Sequence, residues 1–360
     1  MTKVLLVGKG APDRGGIPSF IQMLRQSSLA DTYEMSFLNV AHGGTPEGGK
    51  PTAGNVIRTV RDAFAVRRAA RGHDVVHIHS AMAPAVTVIR AALLAAAARS
   101  RGAAVVVHVH GGNVEFWLTT RIRRALVKFA MAPAQRVVAV WTAGERALTQ
   151  VLPATRVQMI DNGVDLSLHS IPRGEHNPFR VLYVGLLTPR KGVLDLLEAS
   201  SLLAERGFDH ELWLLGGTPD EGPSAEAEVR AALDGRARIL GTRAPEEMPG
   251  VYAEADLFCL PSWWEAMPLS VLEAMASGLP VVATDVGDVS RLVQDGHTGF
   301  VVPPRDPEKL ASALAELLRD PQRARAMGSA GRARAEQGFS STATVREVAH
   351  LYAELERDRR

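Results

Sequence analysis

Short apolar runs rich in β-branched residues recur along this chain, and the stretches between them carry helical periodicity. That alternation limits its fold more than any other feature. The runs are Val4–Val7, Val75–Ile78, Ala104–Val109, Val137–Val140, Val181–Val184, Leu212–Leu215, Arg238–Leu240, Leu257–Leu260 and Val281–Ala283. Between them Val193, Leu196, Leu197, Leu203 and Ala204 share one helical face, as do Leu310, Ala313, Leu314, Leu317 and Leu318. Strands that alternate with helices build parallel sheets with helices on both faces. The chain has 360 residues, enough for two such domains with separate cores. The segment LHSIPRGEHNPF, 168–179, is rich in Pro, Gly and His and lacks an apolar period, so the boundary is expected there. The expected division is an N-terminal domain at 1–168, a linker at 169–179, a C-terminal domain at 180–340 and a closing helix at 341–360 with a route back to the first domain. Doubly wound sheets bind ligands at the carboxyl ends of their strands, which points to a cleft between two such domains.

Composition narrows the class. One cysteine, Cys259, excludes a disulfide framework and suits a reducing cytoplasm. MTKVLLVGKG reads as a first strand and not as a signal peptide, and the Ala-rich stretch 91–98 is too short to span a bilayer. Residues 1–165 carry 20 Lys and Arg against 10 Asp and Glu, whereas the remainder carries 21 against 29. A basic half beside an acidic half is a statement about partners. No aromatic–basic interleaving supports nucleic acid, so an anionic acceptor or a membrane surface is the better fit.

Two carboxylates stand out in PSWWEAMPLSVLEAMASGLPVV, 261–282. Glu265 falls in a loop beside two tryptophans, and Glu273 falls inside an Ala/Met/Leu helix where an unpaired carboxylate is costly. With Pro268 read as an early helical residue, the amides near Met267 and Leu269 are placed for a phosphate, and Glu273 for the hydroxyls of a ribose. A capping Glu and a satisfied core Glu are the structural alternatives. Arg190-Lys191-Gly192 follows a strand and precedes a helix, which suits a diphosphate; a solvated surface pair is the plainer reading.

In the first loop, GKGAPDRGG, Asp13 stands where a dinucleotide fingerprint needs its third glycine, and Pro12 interrupts the turn, which disfavours a nicotinamide oxidoreductase. The Gly15-Gly16 pair still permits close approach of a phosphate. Two histidine pairs, His77/His79 and His108/His110, end two strands. They lack an Asp, Glu or Cys complement at metal-ligand spacing, so no metal is assigned, and His110 is expected to emerge toward ligand.

These motifs, together with GGIPSF (15–20), DVVHIHSA (74–81), IDNGVD (160–165), VLYVGLLTPRKG (181–192) and DGHTGFVVPPRD (295–306), resemble the retaining glycosyltransferases of the GT-B fold, in the large family four, glycosyl transferases group 1. The resemblance implies an α/β architecture of two doubly wound Rossmann-like domains facing across a deep cleft. It implies transfer from a nucleotide-diphosphate sugar, UDP-sugars favoured, without metal or other cofactor. Glu265 then matches the glutamate at the donor sugar, His110 the histidine lining the sugar pocket, and Glu273 the ribose-binding glutamate. Lys191 matches the diphosphate-binding lysine, with Arg190, Gly16 and the amides of Met267 and Leu269 beside it, and Arg243 the position contacting the base. Two departures stand out. Leu186 replaces the usual arginine, and Gly-Asp-Val-Ser occupies 287–290, where Gly-Gly-x-x-Glu is usual.

For the acceptor, the segment Val114–Met131 reads as one amphipathic helix. Trp117, Leu118, Ile122, Ala125, Leu126 and Phe129 form one face, and Arg121, Arg124 and Lys128 another. Such a helix lies on an anionic leaflet or packs on a core with its basic face solvated. The expected acceptor is a saccharide or lipid-linked saccharide of envelope or exopolysaccharide synthesis. The expected location is cytoplasmic, at the inner face of the plasma membrane. A catalytically silent nucleotide-sugar-binding protein is the rival reading.

Overall fold

The computed structural model describes residues 1–13, 15–41, 52–111, 113–172, 174, 176–217, 223–233, 235 and 237–359; Gly112 and parts of the expected linker lie outside them. The chain divides into two units, Met1–Asn162 with Thr342–Arg360, and Gly163–Ser341.

In the first unit β1 (Lys3–Gly8) leads through α1 (Gly16–Gln26) and α2 (Leu29–Thr32) to β2 (Glu34–Asn39). Then follow α3 (Ala53–Ala69), β3 (Val75–Ser80), α4 (Ala85–Arg99) and β4 (Ala104–Val109). The unit continues with α5 (Val114–Trp117), α6 (Arg121–Ala130), β5 (Arg136–Ala139), α7 (Thr142–Thr149) and β6 (Val157–Met159). Its parallel sheet has the order β2-β1-β3-β4-β5-β6. The step from β1 to β2 runs one way across the sheet and every later step runs the other way. Right-handed crossovers therefore place α1 on one face and α3, α4 and α6 on the opposite one.

The second unit runs β7 (Phe179–Val184), α8 (Val193–Glu205), β8 (His210–Leu215), α9 (Pro223–Ala231), β9 (Ala237–Gly241) and α10 (Met248–Ala253). It continues with β10 (Leu257–Leu260), α11 (Leu269–Ala276), β11 (Val281–Thr284), α12 (Val289–Leu292), β12 (Gly299–Val302), α13 (Pro307–Arg319) and α14 (Pro321–Gly338). The order β12-β11-β10-β7-β8-β9 puts the reversal of direction between β7 and β10. That switch point is where a doubly wound sheet binds its ligand.

The last helix, α15 (Ser341–Arg359), belongs to the first unit. Val345, Val348, Leu351, Tyr352 and Leu355 of α15 share a core with Phe20, Ile21 and Leu24 of α1 and with Val4, Leu6 and Val106 of the sheet. The unit boundary is Asn162/Gly163, ahead of the expected 168/169, because residues just after 162 pair with the end of the second unit. Val164 N–H donates to Phe339 O at 2.9 Å, and Ser341 N–H donates to Val164 O at 2.8 Å.

The expected single helix over 114–131 is two. It breaks at Leu118, and α6 restarts with Thr120 as its cap, whose hydroxyl accepts Arg123 N–H at 3.3 Å. Its buried side is Val127 and Ala130, while Ile122 and Phe129 are each 82% exposed. The expected apolar face is therefore not a core face.

Candidate functional site

Two loops meet at the switch point of the second unit. After β7, Pro189–Lys191 form one turn of 3₁₀ helix, and Gly192 turns the chain into α8 with φ 69°. A Cβ on Gly192 would stand 1.8 Å from the carbonyl oxygen of Pro261, so both the left-handed backbone and the close approach demand glycine. After β10, the loop carrying Glu265 returns alongside. Trp263 fastens one loop to the other: its N–H donates to Arg190 O at 3.1 Å and its indole to Asp195 Oδ2 at 2.7 Å.

This arrangement joins Lys191 to Glu265. The Lys191 ammonium lies 2.5 Å from Glu265 Oε1, and the Ser262 hydroxyl donates to the same oxygen at 2.7 Å. Both side chains are largely buried, and removing one member of such a pair costs about 3–5 kcal/mol. Residues 287–290 support Glu265 from below. Gly287 has φ 56°, and its Cβ would fall 2.3 Å from Glu265 O, while Asp288 N–H donates to Ala266 O at 2.9 Å. The unusual Gly-Asp-Val-Ser thus holds the loop through backbone.

Helix α11 starts at Leu269. Pro268 precedes it in extended conformation with ψ 118°, so it is the flanking residue and not an early helical one. The pyrrolidine disfavours helical geometry in the residue before it and ends the loop there. No side chain caps this helix start, which leaves the first-turn amides from Leu269 onward available to an anion. Met267 is buried in the loop before it.

One turn further in, Glu273 Oε2 accepts the Tyr252 hydroxyl at 2.7 Å. Burial pushes the Glu273 carboxyl up to about 7, and the Tyr252 hydrogen bond opposes that rise. Because the folded value lies above the ordinary one, Glu273 lowers folding stability as pH climbs from about 4.5 toward 7. Ribose hydroxyls bind a charged acceptor better than a neutral one. Affinity for a nucleotide sugar, whose diphosphate does not titrate near neutrality, is therefore expected to rise roughly fivefold between pH 6 and 8. Calorimetry across that range should show the rise, and Glu273→Gln should flatten it; an equal slope in both would detach Glu273 from the nucleotide.

Leu186, at the usual arginine position, accepts the Tyr183 hydroxyl through its carbonyl at 2.7 Å. Arg243 follows β9, and its guanidinium donates to Leu240 O at 2.9 Å and Thr242 O at 3.2 Å. Its side chain thus braces the loop whose backbone the resemblance assigns to the base.

In the first unit, Gly16 opens α1 after the Gly15 turn, and Phe20 of the same helix packs against His79, His108 and His110, three members of a cluster of four histidines completed by His77. They form two layers. His77 Nε2 lies 3.1 Å from His108 Nδ1 with the rings 7° from coplanar, and His79 Nδ1 lies 3.0 Å from His110 Nε2. The layers stack with ring centroids 4.3 Å apart for His77 over His79 and 4.4 Å for His108 over His110. His77, His79 and His108 have ring nitrogens within 4.8 Å of one another, as a metal set would. Their lone pairs lie in ring planes that stack or pair edge to edge, however, and do not converge on one point.

The partners fix the protons. His79 Nε2 and His108 Nε2 are buried without a hydrogen-bond partner among the described residues. An orphaned buried N–H is rarer than an orphaned acceptor, so in both rings the proton belongs on Nδ1. His108 then donates to His77, whose own Nδ1–H meets the Tyr352 hydroxyl at 2.7 Å. His79 donates to His110 Nε2, which leaves His110 with its proton on Nδ1. Burial holds His110 down to about 3, so it is neutral at ordinary pH, and it alone of the four is not fully buried. It offers a neutral donor.

Comparison with known proteins settles the family. Residues 27–168 match Glycosyltransferase Family 4 and residues 178–320 match Glycosyl transferases group 1. The GDP-mannose-dependent alpha-(1-6)-phosphatidylinositol monomannoside mannosyltransferase of Mycolicibacterium smegmatis is 30% identical over 364 residues, covering 91% of this chain and 92% of that protein. The chain belongs to the family-four glycosyltransferases. A D-inositol 3-phosphate glycosyltransferase of Corynebacterium efficiens is 34% identical over 218 residues, 55% of this chain and 51% of that protein. The chain spans about half the length of several curated relatives that it matches. Its GT-B fold is that of Anabaena HepE, solved with UDP-glucose, at TM-score 0.76 and 20% identity over 98% of this chain and 100% of that one.

Tyr252 and Ser262 are the site residues that sequence reasoning missed. Only the fold brings Tyr252, on α10, to Glu273. The Ser-x-x-Glu spacing of 262–265 is a signal that could have found Ser262.

Proposed function

We propose that this glycosyltransferase is retaining and metal-independent, and that it moves a sugar from a nucleotide-diphosphate sugar to a saccharide or lipid-linked saccharide in envelope or exopolysaccharide synthesis. The observation that carries the reading is the Lys191–Glu265 pair beside the uncapped start of α11, with Glu273 on the same helix. Departure of a diphosphate from a sugar leaves negative charge on the phosphate and positive charge on the ring, and catalysis consists of stabilising both. Lys191, Arg190 and the amides from Leu269 onward face the first charge; for Gly16 of the first unit the assignment to the donor phosphate rests on the family resemblance alone. Glu265, released from Lys191, faces the second. The acceptor hydroxyl enters on the face the diphosphate leaves and gives its proton to the departing oxygen, so no side chain is needed as general base. His110 supplies a neutral hydrogen bond to a sugar hydroxyl, and Glu273 and the Arg243 loop hold ribose and base.

A UDP-sugar is the donor favoured by this reading. GDP-mannose is the competing candidate, from the name of a relative that covers 91% of this chain. Incubation with labelled UDP- and GDP-sugars and an acceptor panel is the test. Transfer with retained anomeric configuration, undiminished by EDTA, is expected. A strict need for manganese or magnesium, or an inverted product, would overturn the mechanism. Donor binding with neither transfer nor hydrolysis would favour a silent binding protein.

A further inference from the structure

Helices α3, α4 and α6 lie on one face of the first sheet, and they pack side by side in that order. Asp62 of α3 pairs with Arg90 of α4 at 2.9 Å, and Arg67 donates to the Ser100 hydroxyl at the end of α4 at 2.6 Å. Their outer surfaces carry large apolar side chains that stand exposed among the basic ones. Ile57 and Phe64 on α3 are each 69% exposed, Ile89 and Leu93 on α4 are 47% and 42% exposed, and Ile122 and Phe129 on α6 are 82% exposed. In each pair the spacing is three, four or seven residues or close to it, which sets the side chains on one stripe of their helix. Scattered exposed apolar residues need no explanation, but stripes on three adjacent helices do.

Charge identifies the occupant. The three helices carry ten Lys and Arg and one acidic residue, Asp62, which is buried against Arg90. A second copy of this chain would set ten cations against ten. A bilayer with anionic headgroups answers both features, because apolar tips enter the acyl boundary while long basic side chains reach the phosphates. No helix among the described residues is long and apolar enough to cross a membrane, so the contact is along the surface.

We propose that the outer faces of α3, α4 and α6 together form a docking surface for an anionic lipid bilayer. This extends the surface beyond the 114–131 segment that sequence pattern singled out. It goes beyond the proposed transfer reaction, and its readout needs no turnover, so either idea can fail alone.

The test is co-sedimentation of the full chain with vesicles of phosphatidylcholine alone or mixed with phosphatidylglycerol. Pelleting is expected only with the mixed vesicles and should fall as salt rises. Arg68→Gln/Arg121→Gln/Lys128→Gln should weaken it about a hundredfold, at roughly fivefold per cation. Arg124 is spared because its Nε donates to Leu118 O at 2.9 Å. Ile57→Ser/Phe64→Ser and Ile122→Ser/Phe129→Ser should each weaken binding by roughly tenfold or more, with helix content and donor-nucleotide affinity unchanged as the control for folding. Equal pelleting with both vesicles, or with neither, would overturn the proposal. So would an α6 pair that releases the protein while the α3 pair does nothing. A dimer that dissociates in the same variants, with no vesicle effect, would assign the surface to a second copy instead.

Discussion

Lys191→Ala is expected to lower kcat/KM for transfer by roughly 10²–10³-fold, the usual consequence of removing one donor aimed at developing charge. The pairing with Glu265 adds a second expectation. Donor binding must exchange one anionic partner of Lys191 for another, so Glu265→Gln should leave nucleoside diphosphate affinity unchanged or raised while turnover falls. The double variant should lose less than the sum of the singles, since the two side chains interact directly at 2.5 Å. Arg190→Ala should have the smaller effect, because it leaves the Lys191–Glu265 contact in place. Steady-state kinetics with calorimetry on the parent and the four variants decides it. A Lys191→Ala enzyme within fivefold of the parent would remove Lys191 from the phosphate site.

Gly192→Ala should be among the most destabilising single-methyl changes in the second unit. The backbone there has φ 69°, and the new methyl would meet the Pro261 carbonyl at 1.8 Å. Left-handed strain of about 1 kcal/mol adds to an overpacking cost of about 1–3 kcal/mol. For a unit of this size that lowers the melting temperature by roughly 5–15 °C. Gly207→Ala is the control, since Gly207 has φ 82° with nothing within 4 Å of its Cβ and should show the strain cost alone. Equal melting shifts for the two would mean that the Pro261 approach does not constrain the turn. Because Gly192 follows Lys191 directly, the clash should also displace the ammonium and reduce turnover at temperatures where the protein stays folded.

Interior strands were legible in the sequence, since burial on both faces makes them continuous apolar runs. The strands that went unread, β2, β6 and β12, are edge strands with half-buried residues, and Glu34–Asn39 has no fully buried position at all. Edge strands face solvent on one side and lose the apolar signature. The break in 114–131 lies in Leu118-Thr119-Thr120-Arg121, where a threonine cap competes with the apolar period and ends it. Lys191 and Glu265 were read as separate contacts to a ligand, and their contact with each other was not. Contact across 74 residues depends on the neighbouring positions of β7 and β10, which strand order alone decides. Glu273 was recognised as needing compensation. Its partner among the protein side chains, Tyr252, lies 21 residues away in another helix and has no motif to announce it.

The return of α15 to the first unit makes the second unit, in topological terms, an insertion within the first. A laboratory chimera that exchanges the nucleotide-binding half between two relatives therefore needs two crossover points, near Asn162/Gly163 and near Ser341/Thr342, and not one. A single splice at the first point would hand the recipient a foreign α15. That helix carries Val348, Leu351 and Leu355 into the core and ends the histidine chain at Tyr352. Such a hybrid would mismatch its own foundation while leaving every donor-binding residue intact. On the proposed reading the nucleotide-binding half of this chain is a cassette with two seams, and only exchange at both seams moves that half whole.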